Sequence, residues 1–249
     1  MYNPFSLDGK TILVTGASSG IGKSIAIMCS RMGASVILCA RREARLRETE
    51  KEMTGCNNRI LVADLTNQIS VDAMVGQLPK LNGVIHCAGV GRRVLCKSVT
   101  RSDIDSVIGT NFSAPVLLQA ALLTKKKIDK GASIVFIASH GASSPAIANS
   151  LYSASKGALL SYASCLALEL APRGIRVNCI SPGMVWTDLI LKDGVDTEML
   201  KADEKHYPLG RYGKPDDIAP LAIYLMSDAS SWMTTTNIKI NGGGELTPL

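Results

Sequence analysis

Short runs of apolar, mostly branched residues alternate along the chain with longer segments whose apolar positions recur at helical spacing. The short runs predict strands over 11–15, 35–40, 59–63, 83–86, 133–138, 176–181 and 237–240. Helices are predicted over 22–32, 43–53, 71–78, 102–123, 150–171 and 215–226. The strands are apolar throughout rather than alternating, which suits a sheet covered on both faces, and their alternation with helices suits parallel βα units. The expected fold class is therefore α/β, a doubly wound, seven-stranded parallel sheet with helices on both sides. No linker, repeat or low-complexity tract breaks the pattern, so residues 1–249 read as one domain. The longest stretch without a strand, 182–213, is rich in charge and in Gly/Pro punctuation. A loop of that size in a compact domain is usually functional, and it reads as a substrate lid.

Composition narrows the function. Charged residues are 19% and apolar ones 46% of the 249, too hydrophobic a mixture to stay disordered. Basic residues outnumber acidic ones 27 to 21, a net charge of +6 that could serve nucleic acid, anionic lipid or an acidic substrate. Aromatics at 4%, with no basic stripe interleaved among them, argue against nucleic acid. The seven cysteines are scattered and never form a CxxC pair, and the three histidines form no HExxH. Neither a disulfide framework nor a metal site is expected, and the compartment reads as reducing. No basic segment followed by an apolar stretch opens the chain, and no run is expected to reach the length of a membrane span; the expectation is a cytoplasmic protein without membrane contact.

Three groups of residues carry chemistry. The first strand ends in Thr15-Gly16-Ala17-Ser18-Ser19-Gly20-Ile21-Gly22 and enters a helix. Glycines there permit a tight turn and close approach of a pyrophosphate to the free N–H groups of the helix start, although a strand-to-helix turn also uses glycine for steric reasons alone. A second phosphate reading overlaps it. Ala17-x4-Gly22-Lys23-Ser24 is a P-loop lacking its first glycine, and Asp64 at the end of another strand would serve its magnesium, which makes a phosphotransferase the rival. Farther on, Tyr152 and Lys156 stand at i and i+4 on a predicted helix, on one face. A fixed positive charge beside a phenol favours phenolate and brings it toward the working range of a general acid. Ser139, at the C-terminal end of the 133–138 strand, lies where ligands bind in a parallel sheet.

In this ordered set the chain resembles the short-chain dehydrogenase/reductase family in its compact form, over residues 7–243. The elements are Thr15-Gly16-x3-Gly20-x-Gly22, Asp64, Ala88-Gly89, Asn111, Ser139, Tyr152, Lys156, Asn178, Pro182-Gly183, Thr187 and Gly242-Gly243. Within the family it is most similar to 3-oxoacyl-[acyl-carrier-protein] reductases. The resemblance implies a Rossmann-type fold and hydride transfer between a nicotinamide cofactor and a ketone or secondary alcohol. It implies Tyr152 as acid/base, Lys156 lowering its pKa and holding the nicotinamide ribose, Ser139 orienting the carbonyl, and Asn111 holding a water next to Lys156. It places Gly16, Ser18, Gly20, Ile21, Gly22, Ala88 and Gly89 around the dinucleotide, Asp64 at the adenine, and Pro182, Gly183, Val185 and Thr187 at the nicotinamide. A non-catalytic nucleotide sensor on the same fold is a third reading, disfavoured by the presence of all four catalytic residue types.

Cofactor choice follows from charge. An acidic residue at the end of the second strand would select NAD; here Ala40 is followed by Arg41 and Arg42, whose guanidinium groups suit a 2′-phosphate, Arg41 foremost with Ser18 as its helper, so NADP(H) is expected. A small carbonyl or alcohol is the expected substrate, with a 3-oxoacyl group on acyl carrier protein as a candidate and Lys125, Lys126, Lys127 and Arg173 as its basic docking patch. A homo-oligomer, tetramer or dimer, is implied by the resemblance; Leu159, Ala163, Leu166 and Leu170 form an apolar stripe that serves either an interface or the core. The chain departs from the family at His86-Cys87, where Asn-Asn is usual, at Thr235, where glycine is usual, and in the 188–209 segment.

Overall fold

The computed structural model describes residues 2–55, 57–191 and 196–244. Cys56 and positions 192–195 of the predicted lid lie outside the described residues. Strands β1 (Thr11–Thr15), β2 (Ser35–Ala40), β3 (Arg59–Val62), β4 (Leu81–His86), β5 (Ile128–Ile137), β6 (Arg176–Pro182) and β7 (Asn237–Ile240) form one parallel sheet, in the order β3-β2-β1-β4-β5-β6-β7. The helices are α1 (Gly20–Arg31), α2 (Glu43–Lys51), α3 (Gln68–Gln77), α4 (Arg101–Ile108), α5 (Ala114–Thr124), α6 (Ser150–Leu170), α7 (Thr197–Glu204) and α8 (Pro215–Met226).

Successive strand residues feed opposite cores. Leu13, Ile37, Val84, Ile134, Phe136 and Val177 pack with α3, α5 and α6, while Ile12, Val14, Val36, Leu38, Ile85 and Ile180 pack with α1 and α8. This two-sided burial is why the strands read as unbroken apolar runs. The stripe of Leu159, Ala163, Leu166 and Leu170 belongs to the first core, at 6% exposure or less, which decides its reading in favour of the interior.

Two strands start earlier than predicted. Leu81 pairs with Ile128 ahead of a register shift, after which Gly83 pairs with Ser133; the irregular stretch between, with Gly131 at φ +73°, hid the beginning of β5. The helix predicted over 102–123 is not continuous. A capping box of Thr100 and Asp103 starts α4, and a π-helical turn, Gly109–Ser113, separates it from α5. Pro115 has no N–H to give the carbonyl four residues back, that of Asn111, and the widened turn falls at this place. The stretch Arg101–Thr124 contains an 18-residue window of mean hydropathy 1.4, long and apolar enough by composition to cross a membrane, contrary to the sequence expectation. Its Leu118 and Leu122 side chains are instead taken up by the sheet core.

The strand order reverses direction at β1, which is flanked by β2 and β4. Ligand crevices in such sheets open beyond the C-terminal ends of the strands at this point.

Candidate active site

The glycine turn lies in that crevice, and its glycines are required by their neighbours. A Cβ on Gly22 would stand 2.4 Å from the Gly16 carbonyl oxygen, and one on Gly16, at φ +69°, would stand 2.9 Å from the Ala88 nitrogen. Gly20, at φ +54°, lies under Thr187, whose Cγ2 would meet a Cβ at 3.1 Å. Helix α1 starts with no side-chain cap at Ser19 and no acidic residue in its first turn. Its free N–H groups and positive dipole end therefore face the turn uncompensated, a fit for a pyrophosphate. Ser18 sits part-exposed in the turn, and Ile21 packs against the α1/α8 core. Thr15, whose role the sequence reading missed, ties the two strands of the crevice together. Its hydroxyl donates to the Ile85 carbonyl at 3.3 Å and accepts the N–H groups of Cys87 and Ala88 at 3.0 and 3.2 Å. The sequence signals no more than a threonine at the end of an apolar strand.

The catalytic candidates meet across β5 and α6. The Ser139 hydroxyl, at the end of β5, stands beside the Tyr152 phenol and accepts the Gly141 N–H at 3.1 Å. Lys156 is 5% exposed; its Nζ donates to the Ile137 carbonyl at 2.7 Å and lies 5.8 Å from the centre of the Tyr152 ring. Burial pulls Lys156 down to about 8, against the opposing influence of the Cys87 and Cys179 thiols. Burial likewise pushes the Tyr152 phenol above its ordinary value, with the Ser139 hydroxyl acting in the opposite direction. The expected lowering of Tyr152 by Lys156 is thus absent in the chain by itself, because desolvation outweighs any attraction from an ammonium turned toward the Ile137 carbonyl.

Asn111 lies in the π turn and is 1% exposed. Its Oδ1 accepts the Val90 N–H at 2.8 Å, and its Nδ2 donates to the Val90 carbonyl at 2.9 Å and to the Ser155 hydroxyl at 3.1 Å. Both amide hydrogens are spent, so the side chain braces the loop after β4 instead of reaching toward a water. Gly89 leaves the space beside it open: a Cβ there would stand 3.2 Å from Asn111 Oδ1 and 3.6 Å from Lys156 Nζ. At the position of the usual first asparagine, His86 stacks on Phe136 at 4.5 Å between ring centres and meets Gln119 Oε1 through Nε2 at 3.0 Å. Asn178, by contrast, is structural. It joins β6 to the segment before β7 through the Met233 carbonyl and the Thr236 N–H.

Beyond β2, the side chains of Arg41 and Arg42 are exposed and make no hydrogen bond or ion pair among the described residues. Asp64, beyond β3, folds back on Thr66, accepting its N–H at 3.0 Å and its hydroxyl at 2.7 Å, which together with the charge of Arg41 holds its carboxyl low. The cap of α3 is Asn67, so Asp64 is not a helix cap. The P-loop reading is not supported. Lys23 turns to Glu52 at 2.8 Å and the Ser24 hydroxyl to Asp216 at 2.5 Å, both away from the turn. Nor do Lys125, Lys126, Lys127 and Arg173 lie near the site. They flank the start of β5, at the opposite end of the sheet, where Lys127 caps the Leu78 carbonyl and Arg173 the Ile128 carbonyl.

The 182–213 segment closes on itself at its base. Pro182 ends β6, the Gly183 N–H donates to the Ile240 carbonyl, and Val185 bridges Gly213. Helix α7, unforeseen in the sequence, is held there by Glu204, which accepts the Trp186 indole N–H at 2.6 Å and the Tyr212 N–H at 2.9 Å. Gly243 and Gly244 lie against Pro208 and Tyr207, where Cβ atoms would come within 2.7 and 2.6 Å. The start of the segment spans the crevice, with Thr187 above Gly20 and Leu189 in contact distance of Gly91.

Comparison with known proteins assigns this arrangement. A family model described as Enoyl-(Acyl carrier protein) reductase matches residues 16–245. A 3-oxoacyl-[acyl-carrier-protein] reductase of Rickettsia bellii (strain RML369-C) is 33% identical over 237 residues, covering 95% of this chain and 97% of that protein. The chain belongs to the short-chain dehydrogenase/reductase family. As a member of that family it is an oxidoreductase that transfers hydride between a nicotinamide cofactor and a ketone or alcohol. Other short-chain dehydrogenases/reductases similar to it differ in their named substrates. L-xylulose reductase of Caenorhabditis elegans is 33% identical over 245 residues, 96% of this chain and 97% of that one. The crystal structure of a putative NAD(P) dependent gluconate 5-dehydrogenase from Beutenbergia cavernae, with bound NADP at low occupancy, is similar at a TM-score of 0.87 and 30% identity, covering 97% of this chain and 98% of that one.

Proposed function

We propose that the chain is an NADP(H)-dependent carbonyl reductase acting through Tyr152, Ser139 and Lys156. The observation that carries this reading is the convergence of the Ser139 hydroxyl, the Tyr152 phenol and the buried Lys156, whose Nζ lies 5.8 Å from the centre of the Tyr152 ring. When bound, the nicotinamide supplies or takes up the hydride. Ser139 orients the substrate oxygen by a hydrogen bond, and Tyr152 holds at its Oη the proton that oxygen receives on reduction. Lys156, donating to Ile137, keeps a titratable donor beside the phenol for the cofactor ribose. Asn111 acts by fixing the Ala88-Gly89-Val90 loop through its side chain, and its main-chain carbonyl is the group left to hold a water.

Gly16, Gly20, Ile21 and Gly22 cradle the pyrophosphate, with Ala88 and Gly89 opposite, and Ser18 assists Arg41 at the 2′-phosphate. Asp64 takes the adenine, and Pro182, Gly183, Val185 and Thr187 the nicotinamide. Preference for NADP(H) is supported by the exposed guanidinium groups of Arg41 and Arg42, which make no ion pair among the described residues, and by the absence of an acid at Ala40. The segment 182–213 is the substrate lid of a single 1–249 domain, its base pinned where Val185 bridges Gly213. A 3-oxoacyl thioester on acyl carrier protein is a candidate substrate, supported by the names of similar proteins. Its acidic carrier would meet Arg93 and Lys97, on the loop after β4, in place of the Lys125–127 patch. The exposed Leu117 and Leu168 on α5 and α6 support assembly into a homo-oligomer, dimer or tetramer, and the unpaired cysteines support a cytoplasmic location.

Loss of NADPH absorbance with a panel of ketones and 3-oxoacyl thioesters tests the reading. Tyr152→Phe should lower kcat/KM by on the order of 100-fold or more while NADPH binds within about threefold of the parent. Activity that survived the substitution would overturn the assignment.

A further inference from the structure

Trp186 and Thr187 are neighbours in sequence whose side chains serve two different places. The Thr187 methyl stands over the start of α1, 3.1 Å from the point where a Cβ on Gly20 would lie. The Trp186 indole instead donates to Glu204 Oε1 at 2.6 Å, on the last residue of α7. The same oxygen accepts the Tyr212 main-chain N–H at 2.9 Å, and the Tyr212 hydroxyl donates to the Asp203 carboxylate. Tyr212 is 1% exposed and its ring centre lies 5.3 Å from that of Trp186, so one carboxylate oxygen fastens the indole to a fully buried neighbour. N–H groups bonded to a carboxylate are held more strongly than those bonded to a neutral acceptor. Main-chain pairing of the segment ends just before Thr187. Gly213 donates to the Met184 carbonyl at 2.9 Å and Trp186 to the Gly213 carbonyl at 2.9 Å, whereas the Thr187 N–H makes no hydrogen bond among the described residues. The Thr187 hydroxyl only reaches back into the paired segment, to the Val185 carbonyl at 3.3 Å.

We infer that Glu204 is a positioning residue for the nicotinamide half of the cofactor: by fixing the Trp186 indole against Tyr212, it holds Thr187 over the glycine turn. The inference rests on the proposed place of Thr187 at the nicotinamide. Glu204 acts through Trp186, at the point where main-chain pairing stops and a side-chain bond carries the position of the segment one residue further. Its influence is confined to one half of the dinucleotide. Trp186 and Thr187 follow β6, whereas Arg41 and Asp64, proposed for the adenosine half, follow β2 and β3 on the other side of β1. No bond of Glu204 reaches that half of the crevice among the described residues. Sites that far apart with no shared partner respond independently to substitution.

Calorimetric binding of NADPH and of adenosine 2′,5′-bisphosphate, which carries the 2′-phosphate and lacks the nicotinamide, separates the two halves. In Glu204→Ala the Kd for NADPH should rise about tenfold, while that for the bisphosphate stays within about twofold of the parent. Glu204→Gln, whose amide oxygen still accepts both N–H groups, should bring NADPH binding back to within about threefold. Trp186→Phe keeps a ring against Tyr212 and deletes the indole N–H; it should match Glu204→Ala, and the double variant should be no worse than either alone. The chain has two tryptophans, and Trp232 is 99% exposed, so in a Trp232→Phe background the emission reports Trp186 alone. That emission should move to the red in Glu204→Ala and stay in place in Glu204→Gln. Unchanged NADPH binding in Glu204→Ala, an equal loss for both ligands, or no rescue by Gln would overturn the inference and leave the carbonyl-reductase reading intact. A parent protein that binds NADH and not NADPH overturns the cofactor preference alone, and NADH with ADP then serves as the pair for the same comparison. A parent that binds neither dinucleotide overturns both.

Discussion

The side-chain amide of Asn111 matches both main-chain polar groups of Val90, accepting its N–H at 2.8 Å and donating to its carbonyl at 2.9 Å. A helix side chain thereby imitates a strand neighbour and fixes the loop that follows β4 next to Lys156. Asn111→Leu removes the amide and leaves two part-buried main-chain groups of Val90 and the Ser155 hydroxyl short of a partner. It should lower the unfolding free energy by about 3 kcal/mol. In parallel kcat should fall more than KM rises, because the loop loses its position. Urea denaturation and steady-state kinetics check both parts.

Acid should weaken the fold through His86. Burial pulls this histidine from 6.5 to about 4, so below its ordinary value the unfolded chain takes up a proton that the native chain refuses. Native stability is therefore lost as pH falls from about 6.5 to about 4, by on the order of 3 kcal/mol from this group. His86→Asn has nothing to titrate there, and the difference between its urea midpoints at about pH 7 and pH 4.5 should be smaller than that of the parent. Equal differences would show that other groups carry the acid sensitivity.

Arg41 should discriminate between the two nicotinamide dinucleotides. Replacing it with Ala removes a guanidinium with no hydrogen bond or ion pair among the described residues, so no protein partner is stranded. The kcat/KM with NADPH should drop roughly 10- to 100-fold, the value of a charge-assisted hydrogen bond, while that with NADH stays within about threefold. A parallel loss with both cofactors would assign Arg41 to general charge rather than to the 2′-phosphate.

Thr235 adopts φ +59°, a conformation that a β-branched residue takes only under strain. Its N–H is committed to the Val177 carbonyl at 2.8 Å, so the backbone has no freedom to relax. Thr235→Gly should raise stability by about 1 kcal/mol, the relief of strain less the added entropy of the unfolded glycine. Thermal or urea unfolding of the variant measures it.

The sequence displayed the sheet because strands buried on both faces cannot hide their apolarity, and β1, β2 and β7 end where the pattern says. It displayed Ser139, Tyr152 and Lys156 because their order along the chain is distinctive. It concealed what depends on tertiary partners. Thr15 looks like any strand-end threonine until β4 is laid beside it, and Asn111 looks like a polar helix residue until Val90 comes within reach. The π turn left one trace, the proline four residues after Asn111. Helix α7 left little, since it is short, charged and anchored mainly by Glu204 to Trp186 and Tyr212. The basic patch at Lys125–127 was misplaced because charge along a chain says nothing about which end of a strand it faces.

The contact of Gly243 and Gly244 with Pro208 and Tyr207 has a practical side. The stretch directly after β7 lies flush against the segment that covers the crevice, with no side chains to act as a cushion between them. A side chain placed at Gly243 or Gly244 would press on Pro208 and Tyr207 and, through them, on the segment proposed as the substrate lid.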